Sequence, residues 1–241
     1  FIWKLEDISI VLDVSRKELK YSVNAIEAAN LKNRLSRFMK PDIHNGTNGY
    51  MVRSLYFDTL GDMDFEEKVD GYDNRKKIRL RIYDTNAEVI KLEVKEKTDG
   101  IQRKRSLILN REEAERMAQA DYAFLAQRRE ELAVWLYAHM TARCYRPKCI
   151  VEYDRFACIL EHNDTRVTFD SNLRASECVL DIFNRDANLY PVSRPDGITM
   201  EVKYNGFLMT YIKNELSLYN KMQQSVSKYC RARMISKKGR R

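Results

Sequence analysis

Charged side chains recur at every second position in several strand-like segments of this sequence. From Arg75 to Ile82 basic residues alternate with apolar ones, and from Ile90 to Lys97 lysine and glutamate alternate with apolar residues in the same way. Residues two apart lie on the same face of a strand, so each segment would present one charged and one apolar face. Arginine binds phosphate through paired hydrogen bonds, and carboxylates hold Mg²⁺ or Mn²⁺. These faces could therefore bind a metal-bound polyphosphate.

The charged faces of the predicted strands together indicate one shared site. For any single strand, a charged face that points at solvent is the simpler interpretation. If the sheet closes, however, the charged faces line a common interior. Its members are Glu18, Lys20, Arg79, Arg81, Glu93, Lys95, Arg155, Arg166, Asp170, Glu201 and Lys203. Because burying unpaired charge is unfavourable, such an interior must contain water and hold a ligand.

The elements that must position these residues are antiparallel strands with helices packed around them. Alternating or aromatic runs predict strands at residues 50–58, 72–83, 88–97, 101–109, 148–160, 166–170 and 199–204. Apolar periodicity and capping residues predict helices at 24–40, from 111 onward, and at 121–143, 207–219 and 221–235. Short turns such as Thr98-Asp99-Gly100 join neighbouring strands, which is typical of an antiparallel meander. The sequence therefore predicts an α+β domain built on an antiparallel sheet or barrel.

The chain is basic, and its composition favours an anionic partner. Its 241 residues include 43 Lys and Arg against 35 Asp and Glu, a formal net charge of +8. Nucleic acid, anionic lipid and small polyphosphates are the partners that such a charge favours. No apolar run reaches the roughly 18 residues of a membrane-spanning helix, and five cysteines without a CxxC pair favour a cytoplasmic location. We treat residues 1–241 as one domain with a flexible basic tail at 236–241.

Nine short segments in a fixed order carry a resemblance to a known family. They are KELKY (17–21), SLYFD (54–58), KIRLRIY (77–83), LEVK (92–95), YRP (145–147), YDRFA (153–157), RVTFD (166–170), MEVKY (200–204) and SVSKY (225–229). In this order they resemble the VTC-type polyphosphate polymerase domain of the triphosphate tunnel metalloenzyme, or CYTH-like, superfamily. The resemblance implies an eight-stranded antiparallel tunnel, a closed barrel surrounded by helices. It also implies transfer of the γ-phosphoryl group of ATP to a growing polyphosphate with Mn²⁺ or Mg²⁺.

Matched segment by segment, the resemblance assigns roles to individual residues. Catalytic roles are assigned to Arg79, Arg81, Lys95, Arg166 and Glu201. Phosphate-binding roles are assigned to Lys20, Lys104, Arg155, Lys203, Ser227 and Lys228. Glu201 is the expected metal ligand, with Glu93 and Glu18 as helpers. The face on which Lys104 lies stays ambiguous, because residues 103–105 are all basic.

Two alternative functions stay open at this stage. The first is a metal-dependent hydrolase of tripolyphosphate or nucleoside triphosphates, in which water replaces phosphate as the acceptor. The hydrolytic branch of the superfamily carries Glu-x-Glu-x-Lys on its first strand, and Arg16 stands here where the first Glu would be. The second is a non-catalytic module that binds RNA or anionic lipid, although nucleic-acid contacts are dominated by basic and neutral polar donors rather than interleaved carboxylates. The oligomeric state, and contact of the tail with a membrane or another subunit, are also open.

Overall fold

The computed structural model describes residues 16–194, 196–217, 223 and 227–238. This part of the chain contains ten strands and six α-helices. The strands are β1 (Arg16–Val23), β2 (Lys40–Pro41), β3 (Tyr50–Asp58), β4 (Arg75–Ile82), β5 (Ile90–Thr98), β6 (Ile101–Leu109), β7 (Arg146–Leu160), β8 (Thr165–Ser176), β9 (Tyr190–Pro191) and β10 (Ile198–Asn205). The helices are α1 (Ala25–Leu35), α2 (Met63–Val69), α3 (Arg111–Ala118), α4 (Glu131–Ala142), α5 (Thr210–Ser217) and α6 (Lys228–Lys238).

Eight of the strands form an antiparallel sheet, which confirms the predicted α+β class. The strand order is β1-β10-β8-β7-β3-β4-β5-β6, with β2 beside β7 and β9 beside β8. The predicted closed barrel is not confirmed. Within the described residues, β1 does not pair with β6, so hydrogen bonds between strands do not close the sheet. Apart from β10, β1 has only an isolated bridge between Tyr21 and Gln223.

The chain divides into two compact units, and the prediction of a single domain stays a prediction. In the described part of the chain, unit 1 consists of Ser54–Cys149 and Leu180–Arg185. Unit 2 consists of residues 16–53, Ile150–Val179 and the described residues from Asp186 onward. None of the described helices is both long enough and apolar enough to cross a membrane.

Unit 1 is built around the β4-β5-β6 meander. Its apolar face carries Ile78, Leu80, Leu92 and Val94, all fully buried. The predicted strand at 101–109 coincides with β6, and the other two predicted strands differ from β4 and β5 only at their ends. Burial of the apolar face leaves the charged face of the same strands for the candidate site.

Unit 2 packs helices α1 and α5 against the apolar side of strands β1, β10 and β8. The buried cluster between them is formed by Val23, Ala28, Leu31, Leu35, Met39, Cys158, Val167, Phe169, Met200, Val202, Tyr204, Ile212 and Leu216. Helix α1 begins with a capping box, in which the Asn24 side chain and the Glu27 backbone N–H are 2.9 Å apart and the Glu27 carboxylate binds the Asn24 N–H. The cap satisfies backbone N–H groups that the first turn leaves without partners.

Two predicted helices are wrong in extent. Helix α1 was expected to reach Lys40, but Lys40 and Pro41 instead pair with Ile159 and Cys158 as β2. A single helix was expected from Asp121 to residue 143. The Asp121 carboxylate instead accepts the Ala123 N–H, and a 3₁₀ turn at Ala123–Gln127 precedes α4.

The two closing helices are confirmed in kind and differ in extent. Helix α5 begins at Thr210 rather than at the predicted 207, and α6 continues to Lys238, beyond the predicted end at 235. Residues 218–219 of the first predicted helix, and 221–222 and 224–226 of the second, lie outside the described residues. Of the tail that we predicted to be flexible, residues 236–238 belong to α6, while 239–241 lie outside the described residues.

Candidate functional site

The register of unit 1 brings the predicted basic residues onto one face. Arg79 lies opposite Glu93, and Lys95 lies between Lys77 on β4 and Lys104 on β6. Directly opposed residues of an antiparallel pair point to the same side of the sheet. Lys104 therefore shares a face with Lys95 and Glu93, which resolves the ambiguity in the sequence.

Glu93 is the centre of a cluster in unit 1, which we call the Glu93 cluster. Only 2% of Glu93 is exposed, and its Oε2 accepts from the Arg79 Nε at 2.8 Å. The Arg81 Nη1 lies 3.6 Å from the same oxygen, and the Lys104 ammonium contacts Oε1. Three cations thus surround one carboxylate on the charged face of β4, β5 and β6.

The Glu93 cluster is strongly cationic in character. Burial alone would raise the pKa of Glu93, but Arg79, Arg81 and Lys104 hold it well below its usual range. Burial lowers the pKa of Lys104, although the Glu93 carboxylate acts in the opposite direction. The Glu93 carboxylate is therefore a permanent anion at neutral pH, and the positive charge around it exceeds its own.

Two hydroxyl groups on β3 hold the arginines of the Glu93 cluster in place. The Arg79 Nη1 donates to the Tyr56 hydroxyl at 2.9 Å, and the Arg81 Nε donates to the Ser54 hydroxyl at 3.4 Å. Neither hydroxyl was predicted as a site residue. Both lie in the SLYFD segment at alternate positions, and this spacing is the signal that could have identified them.

Unit 2 carries a second charged face, built from three rows of residues across β1, β10, β8 and β7. The first row consists of Glu18, Lys203, Arg166 and Ile159. The second row consists of Lys20, Glu201, Thr168 and Ala157. The third row consists of Ser22, Thr199, Asp170 and Arg155. We call this surface the unit-2 charged face, and it brings most of the remaining predicted site residues together.

Glu201 is the central acid of the unit-2 charged face and is 6% exposed. The Lys203 Nζ lies 2.6 Å from its Oε1, and the Lys20 Nζ lies 3.7 Å from its Oε2. The Lys20 ammonium also contacts Glu18 at 2.5 Å. Burial alone would raise the pKa of Glu201, but Lys203 and Lys20 hold it well below its usual range.

Asp170 is a second buried acid of this face, and the prediction gave it no specific role. It accepts from the Arg155 Nε at 2.7 Å and from the Arg155 Nη2 at 2.9 Å, a bidentate pair. The Lys228 Nζ lies 2.6 Å from Asp170 Oδ2 and 4.6 Å from the centre of the Tyr153 ring. Despite full burial, which alone would raise it, the pKa of Asp170 is lowered by Lys228 and Arg155. Helix α6 thus contributes its first residue to the face.

Ser227, predicted to bind phosphate, has a structural role at the start of α6. Its hydroxyl accepts the Cys230 N–H at 3.3 Å, and its carbonyl accepts the Arg231 N–H at 2.9 Å. This is the geometry of an N-cap, which satisfies N–H groups of the first helical turn. A role of Ser227 in phosphate binding stays a prediction.

Arg166 is anchored by residues that lie far away in the sequence. Its Nη2 donates to Asp42 Oδ2 at 2.7 Å and to the Tyr50 hydroxyl at 2.8 Å. Asp42 is buried and lies in a loop with no periodic pattern, so no signal in the sequence indicated this contact.

The carboxylates of unit 2 have the chemistry that a hard divalent cation needs. Glu18 and Glu201 both contact Lys20, so two carboxylates meet at one ammonium group. Mg²⁺ commonly binds through one or two carboxylates together with substrate phosphates and water. Among the described residues, no group of three or more His, Cys, Asp and Glu side chains could form a metal site. The donor set therefore fits a metal that substrate oxygens help to bind, and the predicted ligands stay predictions.

Comparison with known proteins identifies the family. The VTC domain model matches residues 15–237. The chain belongs to the VTC domain family. A search of the curated proteins finds no match. The family resemblance inferred from the nine segments is confirmed.

Two solved structures are similar to this chain. The adenylyl cyclase candidate HpAC1 from Hippeastrum, for which a dominant triphosphatase activity is described, gives a TM-score of 0.55 at 13% identity, covering 90% of this chain and 94% of its own. An adenylate cyclase candidate from Bacillus halodurans gives a TM-score of 0.47 at 12% identity, covering 83% of this chain and 87% of its own. The likeness to HpAC1 shows a shared fold.

Proposed function

We propose that this chain is an ATP-dependent polyphosphate polymerase, which transfers the γ-phosphoryl group of ATP to the terminal phosphate of a growing chain. The observation that carries the proposal is the Glu93 cluster, in which three cations surround one buried carboxylate. Membership of the VTC domain family supports the same reading. Phosphoryl transfer depends mainly on positioning and on neutralising charge, and fixed cations supply both.

The two charged faces would exchange their internal partners for phosphate oxygens. In the structure, Glu93 forms ion pairs with Arg79, Arg81 and Lys104. Asp170 forms ion pairs with Arg155 and Lys228. A polyphosphate carries a negative charge on every phosphate and can share or replace these carboxylates. We assign Arg79, Arg81, Lys95 and Lys104 to binding phosphate in unit 1. We assign Lys20, Arg155, Arg166, Lys203 and Lys228 to the same task in unit 2.

A divalent metal would be bound by Glu201 with help from Glu18. When bound, Mg²⁺ or Mn²⁺ would withdraw charge from the phosphate oxygens of ATP. Lys20 contacts both carboxylates and would have to move or bind substrate instead. Glu93 is the weaker candidate for a metal ligand, because the three cations around it oppose a further positive charge.

The acidity of the buried carboxylates favours phosphate over water as the acceptor. A water nucleophile gains from a general base, and the pKa values of Glu93 and Glu201 are held far below the range of an effective base. A terminal phosphate oxygen is already anionic near neutral pH and needs no base. This difference favours the polymerase over the hydrolase.

Hydrolysis of tripolyphosphate or nucleoside triphosphates is the second candidate function. It is favoured by the structural similarity to HpAC1, for which a dominant triphosphatase activity is described. The same cations would bind the substrate, and water would take the place of the acceptor. A binding module for RNA or anionic lipid is less favoured, because buried carboxylates interleave with the cations on both faces.

The deciding experiment incubates the purified protein with ATP and Mn²⁺ or Mg²⁺, with and without a short polyphosphate primer. Products are resolved on a gel stained for polyphosphate, and ADP and free phosphate are measured in parallel. Long chains formed together with ADP support the polymerase. Free phosphate without chains supports the hydrolase, and the absence of both products with either metal contradicts both enzymatic proposals.

A further inference from the structure

Thr168 lies at the centre of the unit-2 charged face without a predicted role. It is on β8, directly opposite Glu201 on β10, in the row that also contains Lys20. Two positions before it on the same face is Arg166, and two positions after it is Asp170. Of these neighbours, the proposed function assigns Lys20 and Arg166 to phosphate and Glu201 to the metal.

The hydroxyl of Thr168 is buried and unsatisfied. Only 5% of the residue is exposed, and its Oγ1 has no hydrogen-bond partner among the residues that the structure describes. A buried hydroxyl without a partner destabilises a fold, so proteins rarely retain one unless a ligand or water completes it. A valine of the same shape would avoid this penalty at that position.

The neighbouring carboxylates already form ion pairs with cations. Glu201 is bound by Lys203 and Lys20, and Asp170 is bound by Arg155 and Lys228. The Arg166 Nε on the same face is also buried without a partner in the described part of the chain. Two unused donors therefore lie on one face of β8, among cations, and what this arrangement lacks is an anionic acceptor.

We propose that the Thr168 hydroxyl donates a hydrogen bond to a non-bridging phosphate oxygen of the bound substrate. The ligand class is a phosphoanhydride chain, either the triphosphate of ATP or inorganic polyphosphate. Because a phosphate oxygen accepts and carries charge, this hydrogen bond is of the stronger, charge-assisted kind. The inference rests on the proposed function and adds a binding residue to it.

The test compares Thr168→Val, which keeps the shape and removes the hydroxyl, with Thr168→Ser, which keeps the hydroxyl. Tripolyphosphate binding is measured by calorimetry with EDTA present, so that neither transfer nor hydrolysis proceeds. We expect Thr168→Val to bind about tenfold more weakly or worse, and Thr168→Ser to stay within about threefold of the wild type. The melting temperature of Thr168→Val should equal or exceed that of the wild type, because an unsatisfied hydroxyl is removed.

Weaker tripolyphosphate binding together with an equal or higher melting temperature in Thr168→Val would separate a role in ligand binding from a purely structural role. If Thr168→Val melts well below the wild type, Thr168→Ala serves as the second variant without the hydroxyl. Equal affinity of the wild type and both variants without the hydroxyl overturns the inference while leaving the proposed function intact. Equal weakening in Thr168→Ser also overturns it, because the hydroxyl would then not be the cause. A wild type that binds no tripolyphosphate overturns the inference and the proposed function together.

Discussion

Arg81 is buried, and its guanidinium reaches Glu93 and Ser54 at the same time. Its replacement by alanine leaves Glu93 with Arg79 and Lys104, so the local charge balance survives. We expect Arg81→Ala to lower the rate of phosphoryl transfer about 100-fold or more, since fixed donors aimed at developing charge contribute effects of this size. The rate is measured as ADP release with a polyphosphate primer.

The matched control for Arg81 is Arg103 on the neighbouring strand β6. Arg103 is exposed and lies next to Lys104 on the other face, opposite Glu96. Arg103→Ala should leave transfer unchanged and, like Arg81→Ala, should keep the circular dichroism spectrum of the wild type. A loss of fold in Arg81→Ala would show that this arginine is structural, and an equal loss of rate in both variants would point to a general effect of charge.

In the proposed function, Glu93 competes with phosphate for the cations of the Glu93 cluster. The isosteric change Glu93→Gln leaves these buried cations without their counter-ion and should lower the free energy of unfolding by about 3 kcal/mol. Tripolyphosphate affinity should rise, because the cations no longer share a carboxylate. Unfolding in urea and calorimetric titration measure the two effects.

The control for Glu93 is Glu96→Gln on the same strand, where Glu96 pairs with Arg105 on the opposite face. This half-exposed pair should contribute little to stability and nothing to phosphate affinity. Weaker binding of tripolyphosphate by Glu93→Gln, with Glu96→Gln unchanged, would contradict the competition between Glu93 and phosphate.

At the scale of elements, Ser227 caps the start of α6, and Lys228, the first residue of this helix, forms an ion pair with Asp170. Ser227→Ala removes the cap and should lower the free energy of unfolding by about 1 kcal/mol. Ser227→Asn keeps a capping side chain without charge and should restore stability. Thermal unfolding measures both variants. A wild-type melting temperature in Ser227→Ala, combined with weaker tripolyphosphate binding, would show that the hydroxyl serves phosphate rather than the helix.

The turn between β5 and β6 shows how far the sequence could predict an element's orientation. Asp99 and Gly100 have φ of 51° and 81°, as a two-residue hairpin turn requires, and Thr98 pairs with Ile101. Counting back from this pair places Lys104 opposite Lys95. The two-residue Asp-Gly turn therefore determines the face on which Lys104 lies, which the run of three basic residues alone does not. The contact of Arg166 with Asp42 spans 124 residues and follows no period, so no local rule could predict it.

At the scale of the whole molecule, ionisation of Asp64 should contribute to the pH dependence of the free energy of unfolding. Asp64 is buried at the start of α2 and accepts from the Tyr145 hydroxyl at 2.9 Å. Burial, which has the largest effect, and the nearby Asp58 raise the pKa of Asp64 to about 7, although Tyr145 and Lys76 act to lower it. A carboxyl whose pKa is raised in the folded state contributes stability below its unfolded pKa and loses it as the pH rises through the folded pKa.

The contribution of Asp64 to stability should therefore fall by about 3 kcal/mol between pH 5 and pH 8. Asp64→Asn mimics the neutral acid and should not show this loss. Burial lowers the pKa of His139 to about 4. The contribution of His139 therefore makes stability rise as the pH increases from about 4 to the pKa of an unfolded histidine. For this reason, only the difference between the variant and the wild type isolates the effect of Asp64. Urea unfolding across this range measures it, and parallel curves for the two proteins would contradict the raised pKa.

The fold as a whole was predictable in class and strand position, while closure of the sheet was not. The sequence located β3 and β6 to the residue. The end of β6 alternates between buried and exposed residues, as a sheet with one buried face requires, whereas β3 is buried on both faces from Val52 to Asp58 and was recognised with the help of its aromatic residues. Closure depends on whether the two end strands pair, and the sequences of β1 and β6 contain no signal that fixes a partner. The register of β7 and β8 also shifts between Glu152 and Asp154, opposite Asn172, which has a φ of 52°.

The row structure of the unit-2 charged face constrains how this protein can evolve. Loss or gain of one residue between Arg166 and Asp170 would turn one of the two to the apolar side of β8, whereas a change of two would keep both on the charged face. Single-residue insertions should therefore be absent from residues 166–170 of β8 and from β10 among descendants of this chain, and should collect near Asn172 of β8, where the pairing with β7 already shifts. The alternation that places the proposed anion-binding residues on one face therefore also limits which insertions and deletions these strands can accept.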